Sequence, residues 1–280
     1  MAKIGVVDVG GGFRGIYAAA ALDRCLEEGA SFDLGIGVSA GSANLGSFVA
    51  RQMGRNYRFY TVYGARKKYA SLRNYLLKHS FIDLDYVYST LCDADGEDPI
   101  DYQALKDNPM EFIVVADDAL TGEVKYFTKD DIHQDDYNIF KASSAIPGIC
   151  KPYAVQGRDY FDGALGDPVP VERAFEEGCD KVVVLLTKPR DLVREPGMDP
   201  YLAKMIEKKY PQAAKALRAR AENYNRGVDR AKEYEREGRV LIVAPDDTCG
   251  VSTLTRDQER LDALYAKGYE DGEQILSFLS

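Results

Sequence analysis

Residues 4–15 read IGVVDVGGGFRG, and residues 32–41 read FDLGIGVSAG. Each stretch is an apolar run that ends in a glycine-rich turn. The segments after the two turns, residues 16–28 and 40–53, are rich in small residues and are predicted to be helices. This strand–helix–strand–helix order is typical of a parallel sheet whose strands are joined by crossover helices. The two stretches therefore predict an α/β fold.

The rest of the chain continues the alternation. Further strands are predicted at residues 111–116, 123–128, 181–187 and 239–244, and further helices at residues 169–177, 201–237 and 256–278, with a break near Pro211. No repeat or low-complexity linker divides the sequence. We therefore predict one domain over residues 1–280, a three-layer α/β/α fold with a mostly parallel central sheet and helical insertions near 55–105 and 190–237.

Composition and charge narrow the class of protein. The chain has 280 residues, of which 45% are hydrophobic and 29% charged, and its formal net charge is -9. This length is enough for one large domain with a well-buried core, and the composition is that of an ordinary globular protein. The acidic total argues against a dedicated nucleic-acid-binding protein. No run approaches ~18 consecutive apolar residues, so no membrane span is expected.

The amino terminus and the cysteines bear on location. The chain passes from Met1 directly into the first predicted strand, so we expect no signal peptide. Five cysteines are scattered and never spaced as Cys-x-x-Cys: Cys25, Cys92, Cys150, Cys179 and Cys249. This usage favours reduced thiols over a disulfide framework or a zinc site. We expect a cytoplasmic protein that needs no metal and no cofactor.

Residues 37–41, GVSAG, match the GxSxG pattern that places a serine on a sharp strand-to-helix turn. Gly37 and Gly41 allow the strand and the helix to pack closely there. The start of the following helix also favours negative charge near Ser39. Ser39 is therefore a candidate nucleophile, although turns of this composition also occur in purely structural roles.

Residues 10–15, GGGFRG, have two functional interpretations besides a plain tight turn. One is a dinucleotide-binding loop, with Asp33 as its acidic ribose ligand. The other is an oxyanion hole, in which backbone N–H groups stabilise a tetrahedral intermediate. Asp33 begins the second predicted strand, whereas Ser39 follows the carboxyl end of that strand. Because the carboxyl ends of parallel strands share one edge, the loop and Ser39 are expected to face each other, which favours acyl transfer over a nucleotide-binding oxidoreductase.

A nucleophilic serine needs a group to accept its proton, and histidine is scarce in this chain. His79 and His133 are the two histidines, and both precede the late part of the chain where the histidine of a GxSxG triad falls. We expect both at the surface. Asp162, which follows a short apolar strand and precedes Gly163, is the best remaining candidate, and an ordinary Asp-Gly turn is the competing interpretation.

Taken together, these motifs resemble the patatin-like phospholipases. That family carries a GGGxRG or GGGxKG loop, a GxSxG turn and, more than a hundred residues later, a DGG or DGA element. The corresponding residues here are Gly10 to Gly15, Gly37 to Gly41, and Asp162-Gly163-Ala164. The run ASSAIP at 142–147 and the closing stretch 261–271 also resemble family segments. One departure is Val9, because many members have Asp or Glu there and this chain has Asp8 one residue earlier.

The resemblance implies a Ser–Asp dyad without histidine, with Ser39 as nucleophile and Asp162 as general base. Gly11, Gly12 and the Arg14 region would supply the N–H donors of the oxyanion hole. The implied activity is serine acyl hydrolysis of the phospholipase A or lipid esterase type, on a phospholipid or fatty-acyl ester. The alternatives are a non-enzymatic lipid-binding or regulatory protein of the same fold and, with less support, a nucleotide-binding oxidoreductase.

Residues 51–80 form a basic segment without an acidic residue. Its eight basic residues are Arg51, Arg55, Arg58, Arg66, Lys67, Lys68, Arg73 and Lys78. Tyrosine and phenylalanine are interleaved with them, a mixture that suits anionic phospholipid headgroups. Peripheral contact with an anionic membrane surface, at the inner membrane face, is one interpretation. A second interpretation is that these charges pair with the acidic remainder of the chain. Binding of single-stranded nucleic acid is the least favoured interpretation, because a hydrolase motif lies next to this segment.

Overall fold

An eight-stranded mixed sheet lies at the centre of the molecule, for which a computed structural model describes residues 2–279. The strands are β1 (Ile4–Asp8), β2 (Leu34–Val38), β3 (Glu111–Asp118), β4 (Val124–Thr128), β5 (Tyr153–Val155), β6 (Arg158–Asp162), β7 (Lys181–Leu185) and β8 (Val240–Val243). Their hydrogen-bonded order is β5-β6-β3-β2-β1-β7-β8, and β4 also pairs with β3. Strands β3, β2, β1, β7 and β8 run parallel, whereas β4, β5 and β6 form antiparallel pairs. The six strand positions given by the sequence patterns are confirmed.

Helices fill most of the connections. They are α1 (Ile16–Glu27), α2 (Ala40–Val49), α3 (Arg55–Arg58), α4 (Leu72–Lys78), α5 (Tyr102–Asp107), α6 (Asn138–Ser143), α7 (Val171–Glu176), α8 (Asp199–Ile206), α9 (Pro211–Arg236), α10 (Gln258–Asp271) and α11 (Glu273–Leu279). Short 3₁₀ turns cover Gly12–Gly15 and Lys129–Asp131, and π-helical turns cover Phe59–Tyr63 and Tyr86–Thr90. Pro211 opens α9 at the helix position where its missing N–H costs no hydrogen bond.

Side chains of the sheet alternate between two helix-covered faces. Val6 and Val183 pack with α1, α2, α6 and α10, whereas Val7 and Val184 pack with α7 and the second half of α9. Since both faces are covered, the central strands are continuous apolar runs rather than alternating ones. The predicted three-layer α/β/α fold with a mostly parallel sheet is confirmed.

Strand β3 holds β2 and β6 end to end along one of its edges. β2 pairs in parallel with the first part of β3, β6 pairs antiparallel with its last residues, and β4 occupies the opposite edge. In this register Val38, which ends β2, lies opposite Val115. Asp162, which ends β6, lies opposite Ala116. The residue after Val38 and the side chain of Asp162 are therefore brought to neighbouring positions at the carboxyl edge of the sheet.

Helix α9 is the longest helix of the described chain, with 26 residues. Its apolar side is buried along the sheet and its other side is charged, as in a surface helix of a globular protein. It carries Arg220 and Tyr224 to the carboxyl edge of the sheet. Within residues 2–279, no helix is both long enough and apolar enough to cross a bilayer.

Candidate functional site

Ser39 occupies a strained turn between β2 and α2. Its backbone angles, φ 56° and ψ -129°, are rare for a residue with a side chain and are found most often at functional sites. Two serines hold the turn. Ser143 Oγ accepts a hydrogen bond from the Ser39 N–H at 2.9 Å, and Ser42 Oγ donates one to the Ser39 carbonyl at 2.6 Å. The turn therefore keeps the Ser39 hydroxyl in one position at the sheet edge.

Asp162 lies against that hydroxyl. Ser39 Oγ donates a hydrogen bond to Asp162 Oδ2 at 2.7 Å, and the Ala164 N–H donates one to Oδ1 at 2.9 Å. The Ala145 carbonyl accepts the Asp162 N–H at 3.0 Å. Asp162 is 2% exposed. Its burial raises the pKa of its carboxyl, although both hydrogen bonds and nearby positive charges act in the opposite direction. A raised pKa makes this carboxylate a better proton acceptor than an exposed aspartate.

The glycine-rich loop after β1 packs directly on the Ser39 turn. Gly10, Gly11 and Gly12 have φ values of 65°, 127° and 61°. A β-carbon on Gly10 would lie 2.3 Å from the Val38 carbonyl oxygen and 3.0 Å from the Ala40 nitrogen. Only glycine combines this backbone conformation with so close an approach.

The backbone N–H groups of this loop differ in their hydrogen bonding. Those of Gly10 and Phe13 have acceptors within the protein. For Gly11 and Gly12 the structure of residues 2–279 contains no acceptor, and both residues line the same cavity as Ser39. Unpaired N–H donors beside a serine hydroxyl can stabilise a developing oxyanion.

A buried polar network supports the loop from within the core. Asp8 is fully buried, and its carboxylate accepts hydrogen bonds from the Gly10 N–H and from Asn44 Nδ2, both at 2.9 Å. Tyr60 donates its hydroxyl proton to Asn44 Oδ1 at 2.9 Å. Burial raises the pKa of Asp8 to about 6. The acidic residue one position earlier than in many patatin-like sequences thus anchors the loop.

Ser39 and Asp162 open into a cavity of about 330 Å³. Apolar side chains on its walls include Val9, Ile146, Ile149, Leu202 and Leu254, and cationic ones are Arg14, Lys188, Arg194 and Arg220. A cavity with apolar and charged walls is suited to an amphipathic ligand. In the part of the chain that is described, no group of three or more His, Cys, Asp or Glu side chains could hold a metal ion.

Most residues singled out from the sequence meet at this edge. The cavity is lined by Ser39, Asp162, Gly10, Gly11, Gly12 and Arg14, and the other motif glycines, Gly15, Gly37, Gly41 and Gly163, pack against neighbouring backbone or side chains behind it. Arg14 Nη1 donates to Thr253 Oγ1 at 3.1 Å, and its buried Nε has no partner within residues 2–279. His79 and His133 are both exposed and do not line the cavity.

Asp33 lies at the end of β2 opposite Ser39. Its Oδ2 accepts the Ile4 N–H at 2.7 Å. The five residues of β2 separate it from the Ser39 turn by roughly 16 Å at ~3.3 Å per residue. A nucleotide held by the glycine-rich loop would not have this carboxylate as a ribose ligand. The main argument for an oxidoreductase is therefore lost.

Sequence reasoning missed several side chains of the site. Ser143 belongs to the ASSAIP run at residues 142–147, so its resemblance to a family segment was an available signal. The cations Lys188, Arg194 and Arg220 come from the segment between β7 and α8 and from α9. Nothing in their sequence spacing groups them, because the fold alone brings them to one cavity.

Comparisons with known proteins agree with the motifs. Residues 9–175 match the family model described as patatin-like phospholipase, and residues 210–280 match the model of a domain of unknown function, DUF6363. Uncharacterized protein YjjU of Escherichia coli (strain K12) is 29% identical over 196 residues, which are 69% of this chain and 54% of that protein. Lysophospholipase NTE1 of Scheffersomyces stipitis is 26% identical over 184 residues, 65% of this chain and 11% of that protein. The chain thus spans about half of one curated relative and about a tenth of the other.

A solved structure extends the likeness in fold. The crystal structure of VipD from Legionella pneumophila superposes with a TM-score of 0.53 at 14% identity, covering 99% of this chain and 67% of that chain. At this identity the likeness concerns the fold alone. It includes the carboxyl-terminal helices that lie beyond the first matched segment.

Proposed function

The chain belongs to the patatin-like phospholipase family, and we propose that it is a serine acyl hydrolase of the phospholipase A or lipid esterase type. The observation that carries this proposal is the 2.7 Å hydrogen bond from Ser39 Oγ to the buried carboxylate of Asp162. A nucleophile in direct contact with its base needs no intervening histidine. The free N–H groups of Gly11 and Gly12 in the same cavity give the proposal further support.

In the proposed acylation step, Ser39 Oγ attacks the carbonyl carbon of the ester and Asp162 accepts the serine proton. The carbonyl oxygen becomes an oxyanion, which takes hydrogen bonds from the N–H groups of Gly11 and Gly12 beside Arg14. When the intermediate collapses, the ester C–O bond breaks and the alcohol part of the lipid leaves with the proton from Asp162. The acyl group stays on Ser39.

In the proposed deacylation step, water attacks the acyl-serine carbonyl carbon. Asp162 takes a proton from that water, and the same N–H groups bind the second oxyanion. The bond between the acyl carbon and Ser39 Oγ then breaks, Ser39 regains its proton from Asp162, and the fatty acid leaves. The net reaction consumes one ester bond and one water.

A fluorophosphonate probe tests this proposal against the non-catalytic alternative. We expect one covalent label at Ser39, identified by peptide mass spectrometry, together with fatty-acid release from phospholipid or neutral ester. Covalent labelling without turnover of any lipid would favour a lipid-binding or regulatory protein. A probe that leaves Ser39 unlabelled while the protein is folded would contradict the hydrolase proposal.

We also propose that helix α4 docks on an anionic membrane surface next to the cavity. Leu72, Leu76 and Leu77 are 74%, 77% and 68% exposed, and α4 contains no buried residue. The segment leads to the cavity wall, because the Phe81 N–H donates to the carbonyl of the cavity residue Ile149 at 2.8 Å. Burying one leucine in an apolar phase contributes about 1.5–3 kcal/mol.

Ion pairs within the protein show which cations of the basic segment are available for this docking. Within the described chain, Arg55, Arg58, Arg66 and Lys78 pair with Asp98, Glu97 or Asp83. No ion pair there involves Arg51, Lys67, Lys68 or Arg73. Three of these four cations lie beside or on α4: Lys67, Lys68 and Arg73. They are available to an anionic membrane surface, where the attraction contributes about 1 kcal/mol for each lysine or arginine.

Vesicle sedimentation tests the docking. We expect stronger binding to phosphatidylglycerol than to phosphatidylcholine vesicles, and a drop of about tenfold or more when Leu72, Leu76 and Leu77 are all replaced by serine. The matched control is Leu120→Ser, which removes a leucine that is 63% exposed in the turn between β3 and β4. Equal binding to both vesicle types, or unchanged binding of the triple variant, would contradict the docking of α4.

We propose a cytoplasmic protein, supported by the five free cysteines of the described chain, four of which are buried.

We propose that the two matched segments form one domain. Its support is the packing of α10 on α1, where Tyr17 donates its hydroxyl proton to Asp271 Oδ2 at 2.6 Å, and the Phe13 N–H bond to the Thr253 carbonyl at 3.1 Å.

A further inference from the structure

Cationic side chains from the segment between β7 and α8, from α9 and from the glycine-rich loop line the Ser39 cavity. Lys188 follows β7, Arg194 precedes α8, and Arg220 lies on α9. Arg14, from the glycine-rich loop, lines the same cavity. The side chains of Arg194 and Arg220 are 17% and 13% exposed, so little of either is in contact with bulk water.

The carboxylates of the cavity do not balance this charge. The buried Asp199 accepts hydrogen bonds from Arg220 Nε at 2.9 Å and from Arg220 Nη2, and from Arg194 Nη2 at 3.3 Å. Asp162 is engaged by Ser39, as described above. Glu195 is exposed. Within residues 2–279, neither Lys188 nor Arg14 forms an ion pair. The cavity therefore holds two cations whose charge the protein leaves unpaired.

Crowding of like charges is visible at Lys188. Its Nζ lies 5.9 Å from the centroid of the Tyr224 ring, over which Arg194 is also placed at 5.7 Å. Burial, and then the charges of Arg14, Arg194 and Arg220, lower the pKa of Lys188 to about 8. A bound anion would relieve this repulsion, because it would attract Lys188 and the arginines beside it.

We propose that Lys188, Arg194 and Arg220 form a binding subsite for the phosphate group of a phospholipid substrate, next to the ester that Ser39 attacks. A phosphate offers several oxygen acceptors, which matches the guanidinium and ammonium donors that line this cavity. The apolar side chains that line the cavity are left for the acyl chain. For the reaction this inference depends on the proposed hydrolase function, whereas the binding of phosphate does not.

The subsite makes the headgroup a determinant of selectivity. We compare kcat/KM for dihexanoyl phosphatidylglycerol and for dihexanoylglycerol, which carry the same acyl chains in soluble form. The wild-type protein should prefer the phospholipid. Lys188→Gln and Arg194→Gln should each lower the ratio of the two kcat/KM values by about 10- to 100-fold, the loss of one charge-assisted hydrogen bond. Lys215→Gln, an exposed lysine of α9, is the matched control and should leave both substrates unaffected.

Inorganic phosphate and glycerol phosphate distinguish a lipid headgroup from free phosphate. Both should compete with dihexanoylglycerol in the wild type and bind more weakly to Lys188→Gln. If glycerol phosphate and inorganic phosphate bind tightly but the two lipids are hydrolysed equally well, the lipid assignment is wrong. A ratio of kcat/KM values that stays within twofold of wild type in both variants would overturn the subsite.

The subsite and the hydrolase proposal can fail separately. If neither lipid is turned over in a Ser39-dependent way, the hydrolase proposal fails, and calorimetric titration of glycerol phosphate still tests the subsite. Weaker binding to folded Lys188→Gln than to wild type would support the subsite in that case. Equal binding to both proteins would overturn it.

Discussion

Replacing Ser39 with alanine is expected to lower kcat on lipid esters by about 10⁴- to 10⁶-fold. The substitution removes the hydroxyl that forms the acyl-enzyme in the proposed mechanism, and should leave the glycine-rich loop and the cavity unchanged. Single-turnover measurement of fatty-acid release, with purified variant and wild type side by side, gives the loss directly. Because residual activity would be very small, contamination by other esterases must be excluded by the fluorophosphonate probe.

The fold should survive this change. Alanine keeps the β-carbon, and the Ser39 N–H and carbonyl keep their partners Ser143 and Ser42. We expect the thermal midpoint to change by a few degrees at most. Ser31→Ala, at an exposed position before β2, is the matched control and should retain full activity. Retention of more than a tenth of wild-type turnover by Ser39→Ala would refute the assignment of Ser39 as nucleophile.

Asp162→Asn is expected to lower kcat by about 10²- to 10⁴-fold, the range for removal of a general base. The amide has nearly the same shape and keeps an oxygen for the Ala164 N–H, but it cannot take the proton of Ser39. The nucleophile would stay in place without activation. Steady-state hydrolysis of a soluble short-chain ester measures the loss without involving the membrane.

The pH dependence of wild-type kcat/KM provides an independent test of Asp162. Burial raises the pKa of Asp162 above its ordinary value. A general base must be deprotonated, so kcat/KM should fall as the pH drops through this raised pKa, at a pH above the ~3.9 of a free aspartate.

The raised pKa of Asp162 also means that its ionised form lowers the stability of the folded state above that pH. Asp162→Asn should therefore melt no lower than wild type at neutral pH.

Matched substitutions separate Asp162 from its neighbours and from a histidine-based mechanism. Asp159→Asn changes an exposed aspartate on the same strand, β6, and should leave turnover within twofold of wild type. His79→Ala and His133→Ala should also remain active on the soluble ester, because both side chains are exposed and outside the cavity. Full activity of Asp162→Asn, or a large loss in either histidine variant, would require a different base.

The parts of the fold that the sequence predicted well are those with a local signature. Strands β1 and β2 are buried on both faces, and that burial produces uninterrupted apolar runs that a single stretch of sequence reveals. The break between α8 and α9 follows from Pro211, which favours the start of a helix and disrupts its interior. Strand β5 has three residues, too few for a periodic pattern, and it was not predicted.

The Ser39 turn and the glycine-rich loop could be recognised from sequence alone, because the glycines and the serine of each motif lie within a few positions of each other. The pairing of Ser39 with Asp162 was decided by tertiary structure, since 123 residues separate them. The register of β3, which holds Val38 and Asp162 at adjacent positions on one edge, brings the hydroxyl and the carboxylate together. The cationic lining of the cavity was likewise invisible in the sequence. Side chains such as Lys188 and Arg220 line the same cavity only because the sheet edge and α9 enclose it.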